Sequence, residues 1–179
     1  MKELKFYAKS IRLHLLSEVE YRGWWISVLQ VLVVVVTDPI GTVFMFSRFG
    51  SIGSWTMERI LLIYAMAVTS YGLAEGFCRG LDYPHFPNKM IRSGGFDRLL
   101  LRPRSLFTQA AISHFNIHRF ARPAAGIGII LWCLSRQNVT PDLHSFLLLS
   151  SALLGGTLVY MGVFVFTSGI AFFTVKALD

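Results

Sequence analysis

Thirty consecutive residues, Phe146 to Val175, contain no Asp, Glu, Lys, Arg or His. As an α-helix with a rise of ~1.5 Å per residue, such a run reaches about 45 Å, which exceeds the ~30 Å hydrocarbon core of a bilayer. A soluble protein could bury a helix of this kind only by surrounding it, and the remaining sequence has too little amphipathic character to do so. We therefore predict an integral membrane protein.

Composition supports lipid as the solvent. Hydrophobic residues make up 54% of the 179 residues and charged residues 15%, against roughly 25% charged in soluble domains. The formal net charge of +7 raises the possibility of a nucleic-acid partner. However, the basic residues border apolar runs, a pattern typical of the positive-inside rule and of contact with anionic headgroups. We expect membrane lipids, and no nucleic acid, as partners.

The hydrophobic pattern predicts an all-α, polytopic fold in a single membrane domain over residues 1–179, with about four transmembrane helices. The spans are predicted at residues 24–46, 60–77, 119–134 and 146–175, with an amphipathic interfacial helix at 1–22 and a cytoplasmic loop at 78–118. The third span is the shortest, because only 123–134 is uninterrupted and apolar. It becomes long enough only if Arg119 and Arg122 extend their side chains to the inner interface.

Basic residues also predict the orientation. With the N-terminus in the cytoplasm, fourteen of the 17 Lys and Arg residues lie on the inner side, and Arg48, Arg59 and Arg136 lie on the outer side. This asymmetry is what the positive-inside rule requires.

Within the spans, Asp38 and Glu75 are the acidic side chains that come closest to the membrane interior. Asp38 precedes Pro39, which interrupts a helix, so one interpretation places its carboxylate near the outer headgroups at a bend. The other makes Asp38 a polar residue of a translocation pathway. In the last span, Ser151 with Gly155 and Ala152 with Gly156 are spaced four apart, which favours close approach of another helix.

Several kinds of chemistry have no matching motif in the sequence. No stretch fits the phosphate-binding pattern G-x-x-x-x-G-K-[ST], and no Ser–His pair or H-E-x-x-H suggests an intramembrane hydrolase. Cys78 and Cys133 have no metal-ligand spacing and are predicted near opposite faces of the membrane. We therefore expect no catalytic residues, cofactor or metal in this chain, and energy for transport would come from a partner.

The loop from Asn88 to Arg104 combines basic and apolar residues. Five Lys or Arg residues stand against Asp97, giving a local charge of +4. Gly94 and Gly95 are expected to end one short helix, and Pro103 limits the next. Two amphipathic helices joined in this way could lie on anionic lipid or could present a compact surface to a cytoplasmic protein. The residues alone leave both alternatives open.

The stretch Ile91 to Leu106, "IRSGGFDRLLLRPRSL", resembles the cytoplasmic loop of permeases in the ABC type-2 (ABC-2) exporter class, in a bacterial branch where G-x-F/L-D-R-x-L-x-R-P follows the second span. The residues of this loop that the resemblance implies for docking on a partner are Gly95, Phe96, Asp97, Arg98, Leu99, Leu101, Arg102 and Pro103. Four further segments occur in the same order as in that class: "YRGWW", "SRFGSIGSW", "YGLAEGF" and "FFTVKAL". Together they extend over nearly the whole chain.

This resemblance implies a non-enzymatic permease subunit of the bacterial inner membrane, with a cytoplasmic N-terminus and six spans in the intact family member. The permease would pair with a second permease, identical or different, and with two cytoplasmic ATPase subunits that bind ATP and Mg²⁺. The matching loop would hold a coupling helix that docks on the ATPase. Family members continue beyond the position of Lys176 to Asp179 with two more spans, so the sequence is expected to be a fragment, a truncated frame or half of a split permease.

Two other functions fit parts of the sequence. A membrane scaffold or accessory subunit would use the basic loop to bind anionic lipid, and this binding would fade with added salt. An ion-coupled carrier would depend on Asp38, although ionisable residues near the midplane are few. An apolar lining of the transport pathway is compatible with lipids, peptides, antibiotics and polysaccharides, so the sequence leaves the substrate class open.

Overall fold

A computed structural model of the chain describes residues 23–50, 53, 55–81, 86–92, 94–101, 103, 105–113, 117–136 and 142–174. These residues form helices and turns, with no β-strand among them. The predicted interfacial helix at 1–22 lies outside the described residues, as does Arg102 of the loop motif. The all-α fold class of a polytopic membrane protein is confirmed.

Three helical stretches of the described chain are long and apolar enough to cross a membrane: Trp24–Phe49, Met57–Leu81 and Leu143–Thr174, with 26, 25 and 32 residues. At ~1.5 Å per residue, each exceeds the ~30 Å hydrocarbon thickness. The first stretch is rich in valine, a poor helix former in water. Within lipid, however, the helix is required because each backbone N–H and C=O group must find a partner inside the segment.

The first of these stretches consists of two helices, α1 (Trp24–Thr37) and α2 (Ile40–Phe49), separated at Asp38 and Pro39. The second is α3 (Met57–Cys78), extended by a 3₁₀ turn at Arg79–Leu81. A π-helical turn at Pro87–Arg92 and two short helices follow, α4 (Gly95–Leu100) and α5 (Leu106–Ile112).

After a 3₁₀ turn at Ile117–Phe120, helix α6 covers Ala121–Arg136 and helix α7 covers Leu143–Thr174. At 16 residues, α6 reaches about 24 Å, shorter than a bilayer core. It begins and ends two residues later than the predicted third span, whose crossing of the membrane stays a prediction. Helix α7 begins three residues before the predicted fourth span.

The chain divides into two compact units. We call the unit formed by Gly23–Leu73 and His118–Thr157 the span unit, and the unit that contains the described residues 74–117 and 158–174 the loop unit. Helices α3 and α7 contribute residues to both units.

Small residues allow close helix packing in the span unit, where α1 also packs against α6. A Cβ atom at Gly72 would lie 2.5 Å from Pro123 Cδ of α6, and one at Gly126 would overlap the Thr69 hydroxyl of α3. A Cβ at Gly156 of α7 would lie 2.7 Å from Ser70 Oγ. Backbones that approach this closely gain dispersion contacts, which are a main source of helix association in lipid.

The small residues of α7 therefore have different roles. Gly156 faces α3, as its spacing predicts, whereas a Cβ at Gly155 would meet nothing within 4 Å. The side chains of Ser151 and Ala152 are exposed. Only the second of the two predicted small pairs thus supplies a residue at a close helix contact.

Candidate functional site

Helix α4 contains most of the loop motif, and its start is fixed by glycine. Gly94 adopts a left-handed conformation, with φ of 67°, which a residue with a Cβ rarely takes. It separates the π-helical turn from α4, and Gly95 is the first residue of the new helix. The prediction that these glycines end a helix is therefore correct for Gly94, while Gly95 begins the next one.

Charge within α4 suits the helix dipole. Asp97 lies in its first turn and Arg98 in its last, positions where a negative and a positive side chain are respectively favoured. Both side chains are exposed.

One face of α4 packs against the rest of the loop unit through Phe96 and Leu99, which are three residues apart. Phe96 forms edge-to-face contacts with Phe86 and with Phe172 of α7, with ring centroids 6.4 and 5.1 Å apart. Phe86 and Phe172 also contact each other at 5.7 Å. We call these three rings the aromatic cluster. It ties the motif helix to the end of the last long helix.

The other face of α4 and the turn after it are open. Leu100 is 56% exposed and Leu101 85% exposed, whereas Leu99 is only 9% exposed. Pro103 is also exposed. The exposed surface formed by Asp97, Arg98, Leu100, Leu101 and Pro103 is called the outer face of α4. Leu100 was not among the residues predicted for the site, although the leucine of the pattern G-x-F/L-D-R-x-L-x-R-P falls on it.

Helix α5 contacts α4 and helps to hold it in place. The side-chain amide of Gln109, which is buried, donates a hydrogen bond of 3.5 Å to the carbonyl oxygen of Leu99 near the C-terminal end of α4. Helix α5 in turn packs on the 3₁₀ turn at Arg79–Leu81, where a Cβ at Gly80 would overlap the carbonyl oxygen of Ala110. The position of α4 thus depends on a close backbone contact between Gly80 and α5.

The acidic residue predicted near the inner end of the second span is paired. Glu75 is 2% exposed and forms a salt bridge with Arg79, one helical turn further along. A buried carboxylate needs a partner of this kind. This pairing explains how an acidic side chain is accommodated in an otherwise apolar helix.

Asp38 lies apart from the loop motif, in the span unit. Its side chain is exposed, and the Tyr64 hydroxyl donates to its Oδ2 atom at 3.5 Å and to the carbonyl oxygen of Val35 at 2.9 Å. The structure thus places Asp38 beside the interruption of the first span.

The span unit also contains a cavity of about 770 Å³ lined by α3, α6 and α7, within the ~300–1,000 Å³ typical of ligand pockets. Its wall is mainly apolar, with residues such as Met66, Leu131 and Phe146. Two of its serines, Ser135 and Ser151, donate their hydroxyl hydrogens to carbonyl oxygens of their own helices. The wall therefore favours hydrocarbon contact over hydrogen bonding to a ligand.

Among the residues that the structure describes, no cluster of three or more His, Cys, Asp or Glu side chains could hold a metal ion. Both cysteines are buried and unpaired. Among the described residues, the outer face of α4 combines exposed leucines with exposed charges of both signs.

Comparison with known proteins gives one family. A family model described as "ABC-2 family transporter protein" matches residues 32–179, which include all of the loop motif. Neither a curated protein nor a solved structure matches the chain.

Proposed function

The chain belongs to the ABC-2 family of transporter proteins, and on this premise we propose that its α4 docks on a cytoplasmic ATPase that supplies the energy for substrate export. Members of this family are membrane components and are not themselves catalytic. In this proposal the partner ATPase binds ATP and Mg²⁺, and a second permease subunit, identical or different, completes the transport path. The complex belongs in the bacterial inner membrane, with several spans of this chain crossing it.

The observation that carries the proposal is the composition of the outer face of α4. Leu100 and Leu101 are exposed beside Asp97 and Arg98, charges of opposite sign on successive residues. A surface that only dissolves in lipid has no need for Asp97, and a surface that only binds anionic headgroups is opposed by it. Apolar side chains that fill a cleft, with charges that fix the register, are typical of a protein interface.

The predicted docking residues divide by orientation. The docking contacts would come from Asp97, Arg98, Leu101 and Pro103, with Leu100 added, because these are exposed. Phe96 and Leu99 would instead hold α4 in place, since both lie on the face of α4 that packs against the rest of the loop unit. Gly95 contributes the first residue of the helix, and Arg102 keeps its predicted role of docking on the ATPase.

The aromatic cluster offers a mechanical link. When ATP closes the ATPase, the docked α4 would move, and Phe96 would transmit the movement to Phe172 in α7 through a centroid separation of 5.1 Å. Packed rings resist continuous deformation, so a small shift of α4 would reposition the end of α7 as a unit.

Charge reversal of Arg98 tests the docking. The affinity-tagged chain is purified in mild detergent from its native host, and co-purifying proteins are searched by mass spectrometry for an ATPase with a G-x-x-x-x-G-K-[ST] loop. Binding of that ATPase to the chain is then measured for wild type and Arg98→Glu. We expect about tenfold weaker binding, or ~1.4 kcal/mol, because one interfacial charge pair becomes repulsive.

Arg136→Glu is the matched control, because Arg136 is also an exposed arginine but lies at the end of α6 in the span unit. It should leave ATPase binding unchanged. Recovery of no ATPase with the wild-type chain would reject the proposal. Equal loss with both variants would show that net charge, rather than docking by α4, controls binding. The lipid-binding scaffold would become the preferred function if wild type instead binds anionic liposomes in a salt-sensitive manner and Arg98→Glu abolishes this binding.

A further inference from the structure

The first span contains a break in its backbone hydrogen bonding. In an α-helix the amide of residue 39 would donate to the carbonyl of residue 35, but Pro39 has no amide hydrogen. The neighbouring bonds are present: the Asp38 amide donates to Val34 at 3.0 Å, and the Val43 amide donates to the Pro39 carbonyl at 3.0 Å. The carbonyl oxygen of Val35 therefore lacks the backbone hydrogen-bond donor that a regular α-helix would supply.

A side chain from another helix supplies this bond. The hydroxyl of Tyr64 in α3 donates to the Val35 carbonyl oxygen at 2.9 Å, an ordinary hydrogen-bond length. Val35 is 1% exposed, and an unsatisfied carbonyl in an apolar surrounding costs free energy. The phenol thus replaces the missing amide donor at the position where the helical hydrogen bonds are interrupted.

The same hydroxyl has a second acceptor. Oδ2 of Asp38 lies 3.5 Å from it, longer than the bond to Val35. A phenol carries one hydrogen, so its donation is shared between a carbonyl fixed in α1 and a carboxylate at the break itself. Both acceptors belong to the first span, and the donor belongs to the second.

We propose that Tyr64 is a latch that sets the geometry of the first span at Asp38 and Pro39, with the Val35 carbonyl as its main acceptor and Asp38 as the alternative one. Because the Tyr64 hydroxyl bonds the break to a neighbouring helix, the α1–α2 junction is a hinge whose position depends on α3. Asp38 then serves the hinge and not a translocation pathway. The inference is independent of docking to an ATPase.

A double-mutant cycle tests the latch in the full chain in detergent. Tyr64→Phe removes only the hydroxyl, and Pro39→Ala restores the amide hydrogen that makes the hydroxyl redundant. We expect Tyr64→Phe to lower Tm by about 2–4 °C in the wild-type background, the effect of one lost hydrogen bond in a chain of this size. In the Pro39→Ala background the same change should lower Tm by less than about 1 °C.

Hinge geometry is measured in the same variants by the electron-spin distance between labels at positions 29 and 44, which flank the break on exposed sites. Tyr64→Phe should broaden the distance distribution, and Pro39→Ala with Tyr64→Phe should narrow it again. Equal effects of Tyr64→Phe on both Tm and the distribution in the two backgrounds would overturn the proposal, because the hydroxyl would then act independently of the missing Pro39 amide.

Asp38→Ala separates the two acceptors. With the carbonyl as main acceptor, this variant should keep a narrow distribution centred on the wild-type distance. A broad distribution equal to that of Tyr64→Phe would show that the carboxylate, and not the Val35 carbonyl, is the anchor, and would refute the replacement of the proline amide. This variant also gives a result if Pro39→Ala fails to fold.

Discussion

Leucines are exposed on both α4 and α7, but their surroundings differ. Leu154 and Leu158 of α7 are 65% and 68% exposed on a helix without a single Asp, Glu, Lys or Arg. Leu101, at 85% exposed, follows a six-residue helix that carries Asp97 and Arg98. Exposure of an apolar side chain therefore does not identify its solvent. The charges beside it do, because they are rare in a membrane span and common at a protein interface.

The same charge placed at both sites should have its largest effect in α7. Leu154→Arg puts a guanidinium in the middle of α7, at a cost of about 2.5–3.5 kcal/mol for membrane insertion. We expect it to lower the equilibrium constant for membrane insertion of α7 by about 100-fold. Leu101→Arg should leave insertion unchanged and weaken ATPase binding. Both are measured by carbonate extraction of membranes followed by the binding assay.

Equal losses of membrane-integrated chain in Leu154→Arg and Leu101→Arg would show that the two leucines share one solvent. The distinction between α7 and α4 would then be wrong.

Gly80→Ala should displace α5, which supports α4, without changing the outer face of α4. The added Cβ would overlap a backbone oxygen of α5, so α5 must shift, at an expected cost of about 1–3 kcal/mol. Tm in detergent should fall, and ATPase binding should weaken with it. Gly128→Ala is the control, since a Cβ there meets nothing within 4 Å. A Gly80→Ala chain with wild-type Tm would contradict the close contact.

Phe96→Ala should have a smaller effect, because Phe96 is only half-buried. Removing its ring abolishes two aromatic contacts and should cost about 1–2 kcal/mol of folding free energy. Its distinctive result is functional: ATP hydrolysis by the bound ATPase should become less dependent on the state of the permease, because α4 is no longer tied to α7. Phe96→Leu, which retains bulk, should restore part of the stability. An ATPase rate that responds as in wild type would argue against the mechanical link.

The smallest effect is expected for Gln109→Ala. It removes the bond to the Leu99 carbonyl, which at 3.5 Å is long, so the loss should be about 0.5 kcal/mol. Amide hydrogen exchange in α4 should accelerate while exchange in α7 stays the same. Faster amide hydrogen exchange throughout α7 would show that Gln109 stabilises α7 as well as α4.

Much of the fold follows from the sequence because lipid imposes a simple rule: long charge-free runs form helices that span it. The run ending at Val175 led to α7 within a few residues, and the valine-rich run after Trp24 led to α1. The third span was harder, since Arg119 and Arg122 shorten its apolar stretch. The structure gives a helix of 16 residues there, which length and composition alone do not assign to the membrane.

The site was only partly predictable. The motif located α4, and Gly94 marked its boundary, because a left-handed residue is favoured where a helix must stop. The aromatic cluster was missed, since Phe86 and Phe172 are distant in sequence and no local pattern joins them. The bond from Tyr64 to Val35 was missed for the same reason, although Pro39 did mark the interruption of the first span.

Docking requires the outer face of α4 to contact an energy-supplying protein in the cytoplasm. This contact can be tested in intact cells with a photo-crosslinking residue at position 101, compared with the same residue at position 99. We expect position 101 to crosslink to an ATPase with a phosphate-binding loop, and the buried position 99 to crosslink within the chain. Crosslinks from position 101 to lipid, with none to an ATPase, would contradict it.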